Sequence, residues 1–474
     1  MAFYSVLGFL RPAIFIFLLP IYLSDLAVDE YGMYGLMMDF ALLSTIFVSL
    51  KLNTSMLTNY YDFLGDQLKI KTFLSSTYTF SFLLGLSSII ILYIIGPWLF
   101  GNLYSSESLL FFPFGFIVVL FTAITEMNMT YIVYLKNRKD IIKYTVVLLT
   151  QVFSVVILQV IFIVFLERGL QGALEGILFG NILVTLVILL LEKGILNFNI
   201  DWKMIKSSLK FSVPLIPYLV IYWFLTRSGK TFLEHYASVE TVSIFTLLIT
   251  IAGLVIFGVE AVVNAIRPFL FEQFAKGENR DNDQVSLLTR LIINGPLLIV
   301  PCIILVGTNI HLIPGDPIYR IVDQYISFAT FVLFVFVWAR LFYQQLVFAK
   351  RSNWVTYMSF VVFIILILAF LYFIPRYQIW GVLFATVIAN SIMAILFYII
   401  AQKFLRVSYN WIDIIGIPAL MFAILFSLEY LFKSNGWSLS VFGFVQFGIL
   451  IFLILALNWK NIKIYKRLFG LNKT

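Results

Sequence analysis

Two ionised residues stand inside apolar stretches of the chain, close to its start. Arg11 and Asp39 belong to the two apolar stretches that flank a short acidic turn. A charge near the centre of a membrane-spanning helix costs about 2.5–3.5 kcal/mol, so such a residue normally faces a bundle interior or a hydrated cavity. If the first helix begins near Phe3, Arg11 lies about 12 Å inside it, and Asp39 lies roughly 10 Å below the outer surface. We therefore expect both residues to line a polar interior, with a purely structural Arg11–Asp39 pair as the alternative.

Further apolar stretches carry polar side chains at intervals of three or four residues, or on the row beside them as with Arg227, which places those side chains on one side of a helix. The residues concerned are Tyr218, Tyr222, Arg227 and Lys230 on one stretch, Glu260, Asn264 and Arg267 on the next, Arg340 and Gln344 on a later one, and Glu126 on an earlier one. Guanidinium and ammonium groups bind phosphate or diphosphate. Aromatic rings offer apolar platforms for sugars. Carboxylates such as Asp39, Glu126 and Glu260 could bind H⁺ or Na⁺ during a transport cycle.

Each of these side chains also has a structural interpretation. Polar groups that bond across a helix bundle stabilise it by about 0.6 kcal/mol each. Arg267 and Arg340 lie near the predicted inner surface, where long cationic side chains often anchor a helix at the lipid headgroups. Lys230 could be an anchor at the outer surface. The residue types alone leave both interpretations open.

The sequence offers little for enzymatic chemistry. Cys302 is the only cysteine, and His235 and His311 are the only histidines, so neither a disulfide framework nor a ligand set for a metal is expected. No phosphate-binding G-x-x-x-x-G-K-[ST] loop is present. We predict no catalytic residue, no metal site and no cofactor other than a coupling H⁺ or Na⁺.

The composition indicates an integral membrane protein. Hydrophobic residues make up 62% of the chain, charged residues only 12%, and the mean hydropathy is +1.00. Soluble domains carry roughly 25% charged residues. Because lipid cannot satisfy backbone polar groups, the spanning segments of this chain are expected to be α-helices.

Fourteen stretches are long and apolar enough to cross a bilayer, which takes about 20 residues. The predicted spans are 4–24, 34–50, 73–95, 109–131, 142–166, 173–191, 211–233, 242–265, 288–306, 321–342, 354–374, 379–401, 411–432 and 439–457. With the N-terminus inside, most of the 32 Lys and Arg residues fall in cytoplasmic segments. Both termini are therefore predicted to be cytoplasmic, and the net charge of +8 reflects membrane orientation rather than nucleic-acid binding.

The spans divide into two six-helix halves. We predict an N-terminal lobe over 1–191, an amphipathic interfacial linker helix over 192–210, a C-terminal lobe over 211–401, and two additional helices with a basic tail over 402–474. The turn LAVDEYGMYGL from Leu26 is similar to YASVETVSIFTL from Tyr236. An even number of helices per half makes the repeats parallel. The predicted fold is all-α, with two parallel lobes around a central cavity.

Two stretches resemble a known family. The first similarity is to the start of polysaccharide (O-antigen, Wzx-type) flippases and covers residues 10–38, LRPAIFIFLLPIYLSDLAVDEYGMYGLMM. A second similarity to the same flippases covers residues 211–247, FSVPLIPYLVIYWFLTRSGKTFLEHYASVETVSIFTL. It continues to the end of the following helix at 265–274, AIRPFLFEQF. These flippases belong to the multidrug/oligosaccharidyl-lipid/polysaccharide exporter (MOP) superfamily, which includes the MATE-like transporters.

The resemblance implies a flippase. Its substrate would be an undecaprenyl-diphosphate-linked oligosaccharide (an O-antigen, capsule or exopolysaccharide repeat unit), moved from the inner to the outer leaflet of a bacterial cytoplasmic membrane by ion-coupled alternating access. Arg11, Arg227 and Lys230 become candidate diphosphate or acidic-sugar contacts, with Tyr218 and Tyr222 beside them. Expected partners are membrane lipids and the polymerase and chain-length proteins of the same pathway, with no nucleic acid and with the chain as a monomer.

Two other functions remain open. A cation-coupled multidrug antiporter of the same superfamily usually has twelve helices, so helices thirteen and fourteen favour the flippase, as does the cationic stripe of helix seven. A membrane polysaccharide polymerase or ligase typically carries a large external loop with Arg and His residues, which this sequence lacks. A purely structural scaffold does not explain the charges inside the apolar stretches.

Overall fold

The computed structural model describes residues 17–468 of the 474, with the exception of the side chains at positions 58, 278, 352 and 458–468. Within these residues the chain is 87% helical and contains no strand, which confirms the predicted all-α class. Residues 17–25 are helical, and seventeen further α-helices follow. Two packing units are present. Unit 1 extends to Ser243 and includes Pro314–Asp316, and unit 2 contains Ile244–Ile313 and continues from Pro317.

The helices that lie wholly in unit 1 are α1 (Val28–Ser49), α2 (Leu52–Asn59), α3 (Gln67–Leu103), α4 (Phe116–Arg138), α5 (Ile141–Val160), α6 (Gly169–Leu191), α7 (Trp202–Ser212), α8 (Ile216–Arg227) and α9 (Gly229–Tyr236). Helix α10 (Val239–Ala252) contains the boundary between the units. Unit 2 contains α11 (Leu254–Ala275), α12 (Asn282–Asn294), α13 (Val300–Thr308), α14 (Ile326–Phe348), α15 (Ser352–Phe404), α16 (Ile417–Ser434) and α17 (Leu439–Leu468).

Twelve helical segments of the described chain are long and apolar enough to cross a membrane. One of them, in α15, is interrupted at Gln378, whose φ of 48° and ψ of −117° are not helical. Two predicted spans therefore lie within that single segment. The first predicted span falls largely outside the described residues. A multi-pass membrane protein is thus supported, while the total of fourteen helices and the side occupied by the termini stay predictions.

Several helices begin at an aspartate because its carboxylate can accept hydrogen bonds from backbone N–H groups that have no partner within the helix. Asp66 accepts from the N–H of Lys69 at 3.0 Å, and this bond lowers the pKa of the Asp66 carboxyl. Asp201 accepts from the N–H groups of Lys203 and Met204 at 2.9 and 3.2 Å. These caps define where α3 and α7 start.

The predicted linker helix over 192–210 is wrong in its first half. Residues 192–201 form turns, and the helix begins at Trp202. Gly194 has a φ of +80°, in the left-handed region that favours glycine, and the Asp201 cap fixes the later start. Ile195 and Phe198 therefore do not share a helical face with Ile205. The packing units divide near Ser243, later than the predicted boundary at 191–211, so α7–α9 pack with unit 1. The division into two six-helix lobes, at 1–191 and 211–401, stays a prediction.

The predicted seventh span, 211–233, is not one helix: it begins in the last residues of α7 and continues through α8 into α9. Pro214 and Pro217 lie at the junction of α7 and α8, where proline removes a backbone donor and interrupts regular helix. A second break at Ser228 separates α8 from α9, and the Ser228 hydroxyl donates to the carbonyl of Phe224 at 2.6 Å. Arg227 and Lys230 stand on either side of this second break.

Candidate functional site

Asp39 is the centre of a charged cluster in unit 1. It lies near the middle of α1, and only 1% of the residue is exposed. Lys230 Nζ lies 3.0 Å from Asp39 Oδ2, and an Arg227 guanidinium nitrogen lies 3.7 Å from Asp39 Oδ1. One buried carboxylate is thus shared by two cations that come from the ends of α8 and α9.

Side-chain bonds to the backbone of α1 hold α8 and α9 in place. Trp223 Nε1 donates to the carbonyl oxygen of Asp39 at 2.8 Å, and Trp223 is 5% exposed. Lys230 Nζ donates to the carbonyl oxygen of Gly35 at 3.2 Å. Both donors reach carbonyls on the same side of α1. Lys230 and the α8 backbone are therefore held by contacts that do not involve the Asp39 carboxylate.

The Asp39 carboxylate is paired with both cations, but no donor is well aligned with it. Both of its oxygens are buried, and although Lys230 Nζ lies within hydrogen-bonding distance of Oδ2, the angles at the two groups do not suit a hydrogen bond. Its contacts with Lys230 and Arg227 are therefore ion pairs whose geometry does not direct an N–H at an oxygen. The cluster holds two positive charges against one negative charge. The Lys230 side chain is 10% exposed and that of Arg227 is 44% exposed, so the excess positive charge is accessible at Arg227.

Aromatic rings accompany the cluster. The Tyr218 and Tyr222 rings lie 6.2 Å apart on α8, and Tyr222 is 44% exposed. Tyr104, just beyond the end of α3, is 6% exposed. Burial, and then the negative charges of Asp39 and Glu234, raise the pKa of the Tyr104 phenol. The neighbourhood of Arg227 therefore combines an accessible guanidinium with neutral aromatic groups, a combination suited to an anion that carries sugar rings.

Glu126 belongs to a different cluster of unit 1. Its carboxylate accepts from Lys51 Nζ at 3.4 Å and from Asn53 Nδ2 at 3.0 Å, and the residue is 7% exposed. Lys51 also donates to Thr45 Oγ1 at 2.8 Å. Sequence reasoning identified Glu126 but not its partners, because Lys51, between α1 and α2, and Asn53 on α2 meet α4 only in the fold.

The candidates of unit 2 form two pairs. Arg340 Nε lies 2.6 Å from Glu260 Oε1, and the Arg340 guanidinium also stands 5.0 Å from the centre of the Tyr343 ring. Arg267 Nε donates to Gln344 Oε1 at 2.9 Å. Asn264 is exposed. The structure thus joins α11 to α14 through polar side chains that the sequence predicted on each helix separately.

The structure brings together three of the predicted site residues, Asp39, Arg227 and Lys230. The burial of Lys230, which is only 8% exposed, does not fit an outer-surface anchor. Arg11 lies outside the described residues, and so does the alternative Arg11–Asp39 pair. Among described residues, no group of three or more His, Cys, Asp or Glu side chains could hold a metal ion.

Sequence reasoning missed Glu234, which lies one helical turn after Lys230 on α9. Its carboxylate is buried and accepts from the N–H of Ser105 at 3.0 and 3.1 Å and from the N–H of Ser106 at 2.6 Å. His235 Nδ1 contacts the Ser105 hydroxyl. The position of Glu234 near a predicted helix end does not indicate that it binds backbone N–H groups, because those groups are about 130 residues away in the sequence.

The chain matches no protein-family model and no curated protein, but its fold matches solved structures. An inward-facing multidrug resistance MATE family transporter of the MOP superfamily matches with a TM-score of 0.67 at 15% identity, over 84% of this chain and 94% of that one. Lipid II flippase MurJ in an inward closed conformation matches with a TM-score of 0.64 at 15% identity, over 96% of this chain and 98% of that one. An outward-facing MATE family transporter matches with a TM-score of 0.59 at 14% identity, over 85% and 94%.

Such low identities establish the fold. Over its described residues, the helical chain with its many apolar spans has the fold of a MATE family transporter of the MOP superfamily and of the lipid II flippase MurJ.

Proposed function

We propose that this protein is a flippase that moves a polyprenyl-diphosphate-linked oligosaccharide from the inner to the outer leaflet of a bacterial cytoplasmic membrane. The observation that carries the proposal is the Asp39–Arg227–Lys230 cluster, which holds two cations against one carboxylate on apolar helices. A charge in such a place is costly unless it serves a ligand or ion pathway. The accessible Arg227 guanidinium offers several donors in one plane, which suits the oxygens of a diphosphate.

The other candidate residues take supporting roles. Arg227 and Lys230, together with Arg11, contact the diphosphate or an acidic sugar, and Tyr218 and Tyr222 pack against sugar rings. Asp39, Glu126 and Glu260 are the candidate sites for a coupling H⁺ or Na⁺. Further candidate residues for lining the central cavity are Asn264, Arg267, Arg340 and Gln344. The glycan would be an O-antigen, capsule or exopolysaccharide repeat unit, handed on to the polymerase and chain-length proteins of the pathway.

The extent of the fold match supports this choice. The flippase MurJ aligns over 96% of the chain, whereas the MATE transporters described above align over 84–85%. The longer alignment suits a chain with two helices beyond a twelve-helix core.

A multidrug antiporter is the second candidate, because the inward-facing MATE transporter has a TM-score of 0.67. The two functions differ in the charge of the substrate. A lipid diphosphate is an anion that Arg227 and Lys230 attract, whereas the cationic drugs typical of multidrug exporters would be repelled by them.

Deletion of the protein in its native host tests the proposal. We expect lipid-linked oligosaccharide to accumulate on the inner leaflet and to disappear when the wild-type protein is restored. Arg227→Ala and Lys230→Ala should fail to restore export at equal membrane levels, as should Arg11→Ala. Sensitivity to drugs without accumulation of the lipid-linked sugar would favour the antiporter instead.

A further inference from the structure

The Asp39 carboxylate is bonded unlike the other buried carboxylates of the described chain. Both of its oxygens are shielded from solvent, yet no donor is well aligned with either of them, even though Lys230 Nζ lies 3.0 Å from Oδ2. Leaving a buried polar atom without a hydrogen bond is unfavourable, and more so for a charged group. The contrast is with the carboxylates of Glu126, Glu175, Glu234, Asp413 and Glu429, each of which accepts at least one hydrogen bond.

Lys230 and the helix that carries Arg227 have contacts with α1 that do not involve the carboxylate. Lys230 Nζ donates to the Gly35 carbonyl, and Trp223 holds the preceding turn through the Asp39 carbonyl. Arg227 approaches the carboxylate only to 3.7 Å and remains partly exposed. The carboxylate therefore compensates the charge of Lys230 and Arg227 without fixing their geometry, and another anion could replace it there.

We propose that Asp39 is a built-in counter-anion, which occupies the cationic site when no ligand is bound and is displaced from Arg227 and Lys230 when the anionic headgroup arrives. The inference rests on the proposed function and refines it. In the empty state Asp39 stabilises two cations on apolar helices. In the bound state the headgroup oxygens take over those contacts and can align with the N–H donors, which the Asp39 oxygens do not.

A tethered competitor makes the site selective. An intramolecular group acts at an effective concentration in the millimolar range or above, so a free ligand with a single carboxylate competes poorly with Asp39. A dianionic group such as a diphosphate can engage both Arg227 and Lys230 at once and therefore wins the exchange. Asp39 would thus set the requirement for a doubly charged headgroup.

The released carboxylate links binding to a coupling ion. With a diphosphate on the two cations, the freed Asp39 carboxylate adds a negative charge to a site that is no longer positive. Among the described residues, the Tyr104 phenol lies within reach of the charges of both Asp39 and Glu234. Uptake of H⁺ or Na⁺ by Asp39 would relieve this repulsion.

Binding of inorganic pyrophosphate to the purified full-length protein in nanodiscs, measured by calorimetry, tests the inference. We expect Asp39→Asn to bind pyrophosphate at least about tenfold more tightly than the wild type, and to lose part of the preference for pyrophosphate over acetate. Asp39→Glu should return both values toward the wild type. Glu175→Gln removes another buried carboxylate of unit 1, one that is paired with Arg168, and should leave the affinity unchanged. Equal or weaker binding by a folded Asp39→Asn protein overturns the inference.

A second measurement uses the wild-type protein, in case Asp39→Asn does not fold. Saturating pyrophosphate should shift a carboxylate stretching band in the infrared difference spectrum, and Arg227→Ala should abolish that shift. An unchanged carboxylate region at saturation contradicts the displacement.

The outcomes separate the inference from the proposed function. If the wild type binds pyrophosphate and Asp39→Asn binds it no better, only the counter-anion role fails. If neither protein binds pyrophosphate and the wild type binds tetraphenylphosphonium instead, the flippase proposal fails, and the inference fails with it.

Discussion

Two buried carboxylates lie at α9 and differ in how they are bonded: Glu234 belongs to α9 itself, and Asp39 of α1 faces the Lys230 of α9. Glu234 accepts hydrogen bonds from the backbone N–H groups of Ser105 and Ser106, at distances down to 2.6 Å, and serves as a hydrogen-bonded anchor. Asp39 faces two cations, and no donor is well aligned with its oxygens. Lys230 and Glu234 are only one turn apart, so a single turn of helix separates a fixed contact from an exchangeable one.

The contrast shows how bonding geometry separates stability from function. Hydrogen bonds to a charged group contribute about 1.5–3 kcal/mol and depend on alignment, so they hold one arrangement. An ion pair without aligned donors compensates charge in many arrangements. We interpret Glu234 as part of the scaffold that fixes α9, and Asp39 as part of the machinery that α9 presents.

The largest expected effect comes from removing the buried cation. Lys230→Met leaves the Asp39 carboxylate buried with only the more distant Arg227, and breaking a buried pair from one side costs about 3–5 kcal/mol. We expect a loss near the lower end of this range in the free energy of unfolding, measured by denaturant titration in detergent. The double variant Asp39→Asn with Lys230→Met should recover most of the loss. If the double variant is as unstable as the single one, the pair is not the source of the effect.

The next largest effect is expected from replacing Glu234, the hydrogen-bonded anchor of α9. Glu234→Gln keeps the shape but replaces one acceptor oxygen with an NH₂ group that faces backbone donors, which should cost about 1–3 kcal/mol of unfolding free energy. Pyrophosphate affinity should stay within about twofold of the wild type, since Glu234 contacts no cation of the cluster. A large change in affinity at unchanged stability would reverse the roles assigned to the two carboxylates.

Trp223 tests the link between the two regions. Trp223→Phe removes the donor to the Asp39 carbonyl and should lower the unfolding free energy by about 1 kcal/mol. Because this bond positions α8, we also expect a smaller turnover of lipid-linked substrate in proteoliposomes. Unchanged turnover at the reduced stability would show that α8 is held by other contacts.

Unit 2 supplies the smallest effect. The Glu260 and Arg340 side chains are 33% and 23% exposed, and pairs near solvent contribute about 0.2–1 kcal/mol. Glu260→Gln should therefore lower the unfolding free energy by less than about 1 kcal/mol. If this variant stops transport in proteoliposomes while remaining stable, Glu260 is the coupling carboxylate, and Asp39 keeps only the counter-anion role.

Much of the fold could be predicted from the sequence. Long apolar runs locate spanning helices because lipid leaves the backbone no other way to satisfy its polar groups. The prediction of a helix over the whole linker was wrong in its first half, because the left-handed backbone at Gly194 and the Asp201 cap place the start of the helix at Trp202 despite the amphipathic pattern before it. Within the site, charge in apolar stretches identified Asp39, Arg227 and Lys230 as candidates. Lys51 and Glu234 were missed because their partners come from segments distant in the sequence.

The sequence by itself determined that this is a helical membrane protein and which polar side chains its helices carry, because both follow from the local cost of placing polar groups in lipid. Tertiary structure alone decided the pairing. It joined Asp39 to Lys230 and Arg227 across about 190 residues, left the Asp39 carboxylate without a well-aligned donor, and gave Glu234 its backbone donors. The physical reason is that distances of 3–4 Å between helices depend on how the helices pack, and no spacing within one helix encodes that packing.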